Sequence, residues 1–301
     1  MKKLFSVALI FTFLSGLSSA QIQLDYSLKT GTTYTTKVLL DQSISQTIMG
    51  QSQNSDSDQG YGIKMTVIDI EDGNYSIKMV YNSIMINQPM VGLSYDSETA
   101  TTEPTGPAKA IASVLDKELN FTLGKDGVIS NITGFEALLD SMVANMGITD
   151  ENQASAFKAQ MSAQYNSQTI EDQLNRTLIV FPNKELNKGD TWSEDQSITT
   201  PFALNIQTTY ELAGYDNDTA TLNITSDIFT EGGEMSMNGA TMTPDLTGVQ
   251  SGTIKIDRKT GLILESNMEQ LISGLLNITS PQEMEIPMEI TGKTEVKGTI
   301  E

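Results

Sequence analysis

Apolar and polar residues alternate with a period of two along most of the chain, the pattern of strands that bury one face. Ile63 to Ile70 and Tyr75 to Ile84 carry it on either side of Glu71-Asp72-Gly73-Asn74, and together they predict a hairpin. Ile206 to Ala213 and Thr219 to Ile228 repeat the arrangement around Tyr215-Asp216-Asn217-Asp218. A second strand–turn–strand unit follows each. Leu119-Asn-Phe-Thr-Leu turns through Gly127 into Val128-Ile129-Ser130, and Gly252-Thr-Ile-Lys-Ile-Asp turns through Gly261 into Leu262-Ile263-Leu264. Each set is introduced by Leu-x-x-Gly-x-Thr-aromatic: Leu28, Gly31 and Tyr34 in one place, Leu186, Gly189 and Trp192 in the other. Three units in the same order, at separations of 158, 144 and 134 residues, predict two β-rich halves made by internal duplication.

Between the halves the apolar spacing becomes helical. Phe135, Leu138, Leu139, Met142 and Val143 follow Thr133-Gly-Phe-Glu136, which has the form of a capping box. Asp150 is expected to open a second helix with Phe157, Met161 and Tyr165 four apart, continuing to Ile170 and Leu174. A shorter helix is expected from Pro107 to Leu115. Each carries one apolar stripe and should lie against a sheet. Gln51 to Gly60 (QSQNSDSDQG) is polar and rich in turn formers, and reads as a mobile loop. The expected class is therefore α+β, mostly β: a large curved antiparallel sheet of about ten or more strands, in two duplicated halves, packed on two or three central helices. The chain divides into 1–20, a first β-rich half at 21–132, central helices at 133–176 and a second half at 177–301, the halves forming one continuous domain. Curling around the helices would leave an apolar cradle on the inner face.

Residues 1–20 break this pattern. Lys2 and Lys3 precede an apolar run from Leu4 to Leu17, and Ser18-Ser19-Ala20 closes it with small residues, the order of a secretory signal cleaved between Ala20 and Gln21. The run is interrupted by Gly16 and shorter than a membrane span, which needs about 20 apolar residues. With no cysteine there is nothing to acylate. The expected product is exported, periplasmic or extracellular, soluble and not lipid-anchored. Cleavage removes two lysines and no acid, leaving 16 basic against 38 acidic residues and a formal charge of −22. Such a charge repels nucleic-acid phosphates. An exported chain without disulfides points to a bacterial envelope.

Histidine is absent too, and the two absences remove whole chemistries: Ser-His-Asp and Cys-His catalysis, zinc held by nitrogen or sulfur, and haem on histidine or thiolate. Gly292-Lys293-Thr294 ends like a phosphate-binding loop, but Pro287 stands where the motif requires glycine. Asp56-Ser57-Asp58 and Asp216-Asn217-Asp218 lack the spaced ligands of a calcium loop, and the second falls in a hairpin turn. No pair of carboxylates is singled out for a hydrolase. The sequence thus nominates no catalytic, cofactor-binding or metal-binding residue. Met235, Met237, Met242, Met284 and Met288 could hold copper(I), but their spacing mixes strand faces and suits gap-filling in an apolar cradle. Gly31, Tyr34, Gly127, Gly189, Trp192 and Gly261 are structural positions. Trp192 is expected to plug one end of the core, as Tyr34 does in the first half.

The leader, Leu28-Lys-Thr-Gly-Thr-Thr-Tyr34 with Gln46-Thr-Ile-Met-Gly50, Gly127-Val-Ile-Ser-Asn-Ile-Thr-Gly134 and Gly189-Asp-Thr-Trp192 together resemble a family of exported bacterial proteins known only as a domain of unknown function. That resemblance spans most of the chain beyond the leader and brings no substrate or catalytic residue. More loosely, a curved sheet over helices is similar to periplasmic lipoprotein-carrier and lipid-binding folds. The expected function is a non-enzymatic module binding an apolar or lipid-like molecule in the bacterial envelope. A structural or protein-interaction module with an envelope protein as partner is the alternative, and a hydrolase acting through carboxylates alone the third reading.

Overall fold

A computed structural model describes residues 21–162, 166–198, 203–237, 240–280 and 282–301, so the expected leader with Ala20, and Tyr165, lie outside the described residues. The first half supplies β1 (Thr33–Ile48), β2 (Gln51–Glu71), β3 (Asn74–Gln88), β4 (Leu93–Asp96), β5 (Leu119–Leu123) and β6 (Ile129–Thr133). The second supplies β7 (Thr191–Ile198), β8 (Leu204–Tyr215), β9 (Thr219–Thr230), β10 (Met235–Met237), β11 (Ala240–Asp257), β12 (Ile263–Ser280) and β13 (Met284–Ile300). All pair antiparallel in one 13-stranded open sheet, ordered β6-β5-β3-β2-β1-β13-β12-β11-β9-β8-β7, with β4 added on β3 and β10 on β11. The sheet is mostly meander, because consecutive strands are joined by tight turns such as Asp72-Gly73, both residues at positive φ.

The strands that carry the matching sequence signatures, β1-β2-β3-β5-β6 and β7-β8-β9-β11-β12, cross this sheet in the same order and the same sense, with β13 between the two sets. The opening turns are tied down alike: the Gly31 N–H donates to Val67 O of β2 at 2.9 Å, and the Gly189 N–H to Leu212 O of β8 at 2.8 Å.

Two local expectations are corrected. Gln51 to Gly60 is not a loop but the first half of β2, a 21-residue strand, paired with β1 from Ile48↔Gln51 to Leu39↔Gly60. Its side chains from Gln51 to Gln59 are exposed or half-buried and polar, so a strand here needs no apolar face, and backbone pairing holds what composition labels as turn. Thr133 does not cap a helix either: it ends β6, and Gly134, at φ 108, stands at the N-cap without a side-chain bond.

The helices are α1 (Pro107–Ala112), α2 (Phe135–Met146), α3 (Glu151–Ser162) and α4 (Ser167–Leu174). Asp150 accepts the Gln153 N–H at 2.9 Å, as expected of the residue opening α3. The run expected to continue to Leu174 is broken at Asn166, which is extended and forms a capping box with Thr169 at the start of α4. α2 buries Leu138, Leu139 and Met142, and α4 buries Ile170 and Leu174, in the cluster that also holds the inner faces of the sheet. α4 lies over β2 and β3, where Tyr61 Oη donates to Gln173 O at 3.4 Å and Tyr81 Oη bonds the Gln173 side chain. α3 buries none of its residues. No helix among the described residues is long and apolar enough to cross a membrane.

The segment before β1 is a second structural element that the sequence reading passed over. Ile22, Leu24, Tyr26 and Leu28 are buried on alternate positions, and the backbone bonds Leu186, Lys125 and Thr260 in turn. It runs under the β5–β6 and β11–β12 turns and stitches the two halves together.

Candidate functional site

The longest strands outrun the helices. At about 3.4 Å per residue β2 is roughly 70 Å long. The apolar interior accordingly splits in two along the strand direction. One cluster, under α2 and α4, contains Tyr34, Val38, Ile254, Ile256, Ile263 and Val296. The other contains Ile228, Met242, Leu246, Ile272, Ile286 and Ile290, with Ile44 of β1 and Leu204 of β8 packed against it. Four strands lie between β1 and β8 in the sheet, and the cluster runs across all of them.

Register places a polar row between the clusters. Glu194 on β7 pairs with Thr208 on β8, Thr208 with Ser226 on β9, Ser226 with Gln250 on β11, and Gln250 with Gln270 on β12. Gln270 then pairs with Gly292 on β13, and Gly292 with Gln42 on β1. Residues directly opposite one another share a face of the sheet, so this row crosses seven strands on one side. One step away, Ile44, Ile290, Ile272, Gly248, Ile228 and Ile206 form an apolar row in the same register. One step the other way lie Leu40, Thr294, Met268, Gly252, Ile224, Tyr210 and Trp192. Within the polar row, Thr208 Oγ1 and Ser226 Oγ are 2.9 Å apart, and Ser226 Oγ reaches Gln250 Oε1 at 3.5 Å.

A cavity of about 240 Å³ lies over these rows, closed on its far side by Asp172, Asn175, Arg176 and Ile179 at and beyond the end of α4. Isoleucine is the commonest residue in its walls, including Ile206, Ile228, Ile272 and Ile290, with Gln42, Gln250, Gln270 and Thr208 set among them. A second cavity of about 220 Å³ adjoins it between α4 and the edge strand β7, and Asn175, Gln196, Thr208 and Tyr210 line both. This outer space is more polar: Gln168 and Glu171 face it from α4, Glu194 and Asp195 from β7, and Gly127 to Ile129 from the β5–β6 turn.

The carboxylates here are unlike surface ones. Burial, with the neighbouring Asp195 charge, holds the Glu194 pKa above its ordinary value, and burial with Asp172 does the same for Glu171. Burial and then the charge of Glu194 push the Tyr210 phenol up to about 12. Asp172 is 6% exposed and accepts from Gln168 Nε2 at 3.0 Å. Arg176 is the one basic side chain in either lining.

Of the positions nominated from sequence, Gly127 lines this site, Trp192 supports it, and the other described ones lie outside both linings. Gly127 lines the outer cavity. Trp192 is buried, donates from Nε1 to Val180 O at 3.0 Å, and stacks on Tyr210 with ring centroids 5.1 Å apart. Tyr34 is buried and donates to Ile263 O at 2.7 Å, while Gly31, Gly189 and Gly261 sit in turns at positive φ and Gln21 is exposed. Of the singled-out methionines, Met242 and Met288 are buried in the second cluster and Met235 and Met284 lie at its rim, while Met268 faces the cavity. Asp216 takes the Asp218 and Thr219 N–H groups at 2.9 and 2.7 Å, as its turn reading requires. A Ser155-x-x-Lys158 spacing escaped the sequence reading. It lies inside α3 with Ser155 exposed and Lys158 paired to Asp140, away from any cavity described here.

Fold and site together define an open single-sheet β protein with an amphipathic chamber against its inner face. The chain belongs to a family of unknown function, DUF6263, whose model matches residues 72–263, from the β2–β3 turn to the first residue of β12. No curated protein matches it. Among solved structures it is similar to lipovitellin, in a structure of lipid–protein interactions, with 13% identity and a TM-score of 0.48 over 91% of this chain and 26% of that one. The chain therefore spans about a quarter of that molecule. It is also similar to an outer membrane channel from Pseudomonas putida F1 (9% identity, TM-score 0.24, 91% and 97% of the two chains) and to OccK11 (OpdR) from Pseudomonas aeruginosa (8%, 0.20, 91% and 100%).

Proposed function

We propose that the protein is a non-enzymatic binding module that holds an apolar or lipid-like molecule in this chamber, and that it works in a bacterial envelope after loss of residues 1–20. The observation that carries the reading is unfilled space at the junction of two apolar clusters, crossed by a row of polar side chains. Interiors are normally close-packed, and here half-buried amide and hydroxyl groups stand among apolar walls. An amphiphile matches both features at once, its chain against isoleucine and its head on the row. Each methylene withdrawn from water contributes about 0.8 kcal/mol, so a twelve-carbon chain brings roughly 10 kcal/mol before ordering costs. The absence of histidine and cysteine supports a binder over an enzyme. The shared order and sense of the two strand sets supports their origin by duplication.

Native mass spectrometry of gently purified protein, followed by organic extraction, should reveal an apolar adduct. The neutral fluorophore N-phenyl-1-naphthylamine should bind the emptied protein. Ile206→Trp, which adds bulk at the chamber wall, should weaken that binding at least about tenfold by removing the space and contact area. Protein that carries no adduct and takes up no apolar probe would sink the proposal.

A further inference from the structure

The charges around the chamber select among amphiphiles, and we infer that the ligand's head is cationic: an ammonium-bearing single-chain amphiphile, its charge held by Glu171, Glu194 and Tyr210 and its chain lying across the polar row toward the Ile206–Ile228–Ile290 wall. The inference rests on the binding reading above and names the ligand class for the same site. The groups that face the two cavities are three inward carboxylates, Glu171 and Asp172 from α4 and Glu194 from β7, with Asp195 beside them, against the single guanidinium of Arg176. Glu194 and Tyr210 rise from the same face of adjacent strands, since Glu194 pairs with Thr208 and Trp192 with Tyr210. The Tyr210 ring is held by its stack on Trp192, giving an aromatic surface beside a half-buried carboxylate. That combination attracts an ammonium twice over, through the ring quadrupole and through charge-assisted hydrogen bonds. The rest of the row offers amide and hydroxyl oxygens that accept from N–H donors. A fatty-acid carboxylate entering here would meet carboxylates at reduced dielectric, a repulsion larger than the same pair would feel in water. Burial that disfavours ionised Glu171 and Glu194 in the empty site is relieved when a cation arrives.

The test is displacement of N-phenyl-1-naphthylamine from the processed chain (residues 21–301) by dodecylamine, dodecanol and dodecanoate, each below its micelle concentration, at neutral pH. The amine should bind about tenfold tighter than the alcohol and the carboxylate weakest, a spread typical of one partly desolvated charge contact. Glu194→Gln and Glu171→Gln should each lower the amine-to-alcohol affinity ratio several-fold. Glu285→Gln, which removes one negative charge from an exposed position of β13, should leave the ratio alone. Dodecanoate binding as tightly as dodecylamine, or a ratio that Glu194→Gln does not move, would overturn the cationic head and leave the binding module standing. Failure of all three to displace the probe would overturn both.

Discussion

Tyr26→Ala is expected to destabilise the protein by about 5 kcal/mol, enough to consume much of the margin of an ordinary domain. Tyr26 is 1% exposed and serves four partners at once. Its phenol oxygen accepts the Ile179 N–H at 2.8 Å, and its ring tilts against Phe181 with centroids 5.2 Å apart. Its N–H donates to Lys125 O at 2.8 Å, and its carbonyl accepts from Tyr75 Oη at 2.7 Å. The next residue, Ser27, donates to Thr260 O at 3.2 Å. Truncation opens a ring-sized cavity and strands a buried N–H, two costs that add because both occur in the interior. Tyr26→Phe keeps the volume and loses only the acceptor, so about 1–3 kcal/mol is expected. Urea unfolding of residues 21–301 measures both. A loss under 2 kcal/mol for alanine would mean that the segment before β1 is not a core element. Burial keeps the Tyr26 phenol protonated far above its ordinary pKa, so the hydrogen bond it accepts from Ile179 should be unchanged between pH 5 and 9.

That segment also shows what the sequence carries and what it hides. Ile22, Leu24, Tyr26 and Leu28 alternate as plainly as any strand, yet they belong to no ladder of the sheet, and the pattern says only that one face is buried, not against what. Hairpins were legible because turn chemistry is local: Asp72-Gly73 and Asp216 fix their own turns. Gln51 to Gly60 misled because composition reports polarity, and a polar strand held by backbone ladders and by side-chain bonds such as Asn87 to Asp58 reads like a loop. The polar row was invisible for a different reason. Gln42, Gln250 and Gln270 each look like an ordinary polar residue in an alternating strand, and only the register of seven strands brings them into line. Nothing short of knowing β13 lies between β12 and β1 would have placed Gln42 beside Gln270 across Gly292. Trp192 was legible as a core plug but not as the support of Tyr210, because the pairing that stacks them is also a matter of register.

Gly127→Ala should be nearly as damaging as loss of Tyr26, and the reason can be separated from backbone strain. Gly127 sits at φ 95, and a Cβ built there would lie 2.0 Å from Ile179 O and 3.0 Å from the Tyr26 ring. Gly189 has almost the same backbone, φ 90, with nothing within 4 Å of its Cβ position. Gly189→Ala therefore bears only the left-handed penalty of about 1–2 kcal/mol. Gly127→Ala bears that penalty and must also push aside the backbone that Tyr26 Oη holds, which raises the expected loss to 4 kcal/mol or about that. Gly261, the matching position in the second half, would bring its Cβ within 2.5 Å of Asp25 O, so Gly261→Ala should fall with Gly127→Ala rather than with Gly189→Ala. Thermal unfolding of the three variants side by side checks the ranking, since at roughly 2–4 °C per kcal/mol the two groups should separate by 5 °C or more. Equal shifts for all three would mean that the β5–β6 and β11–β12 turns do not clamp the Asp25–Tyr26 segment. The clamp explains why the second hairpin of each half turns through glycine: Gly127 sits against Ile179 O and the Tyr26 ring, and Gly261 against Asp25 O.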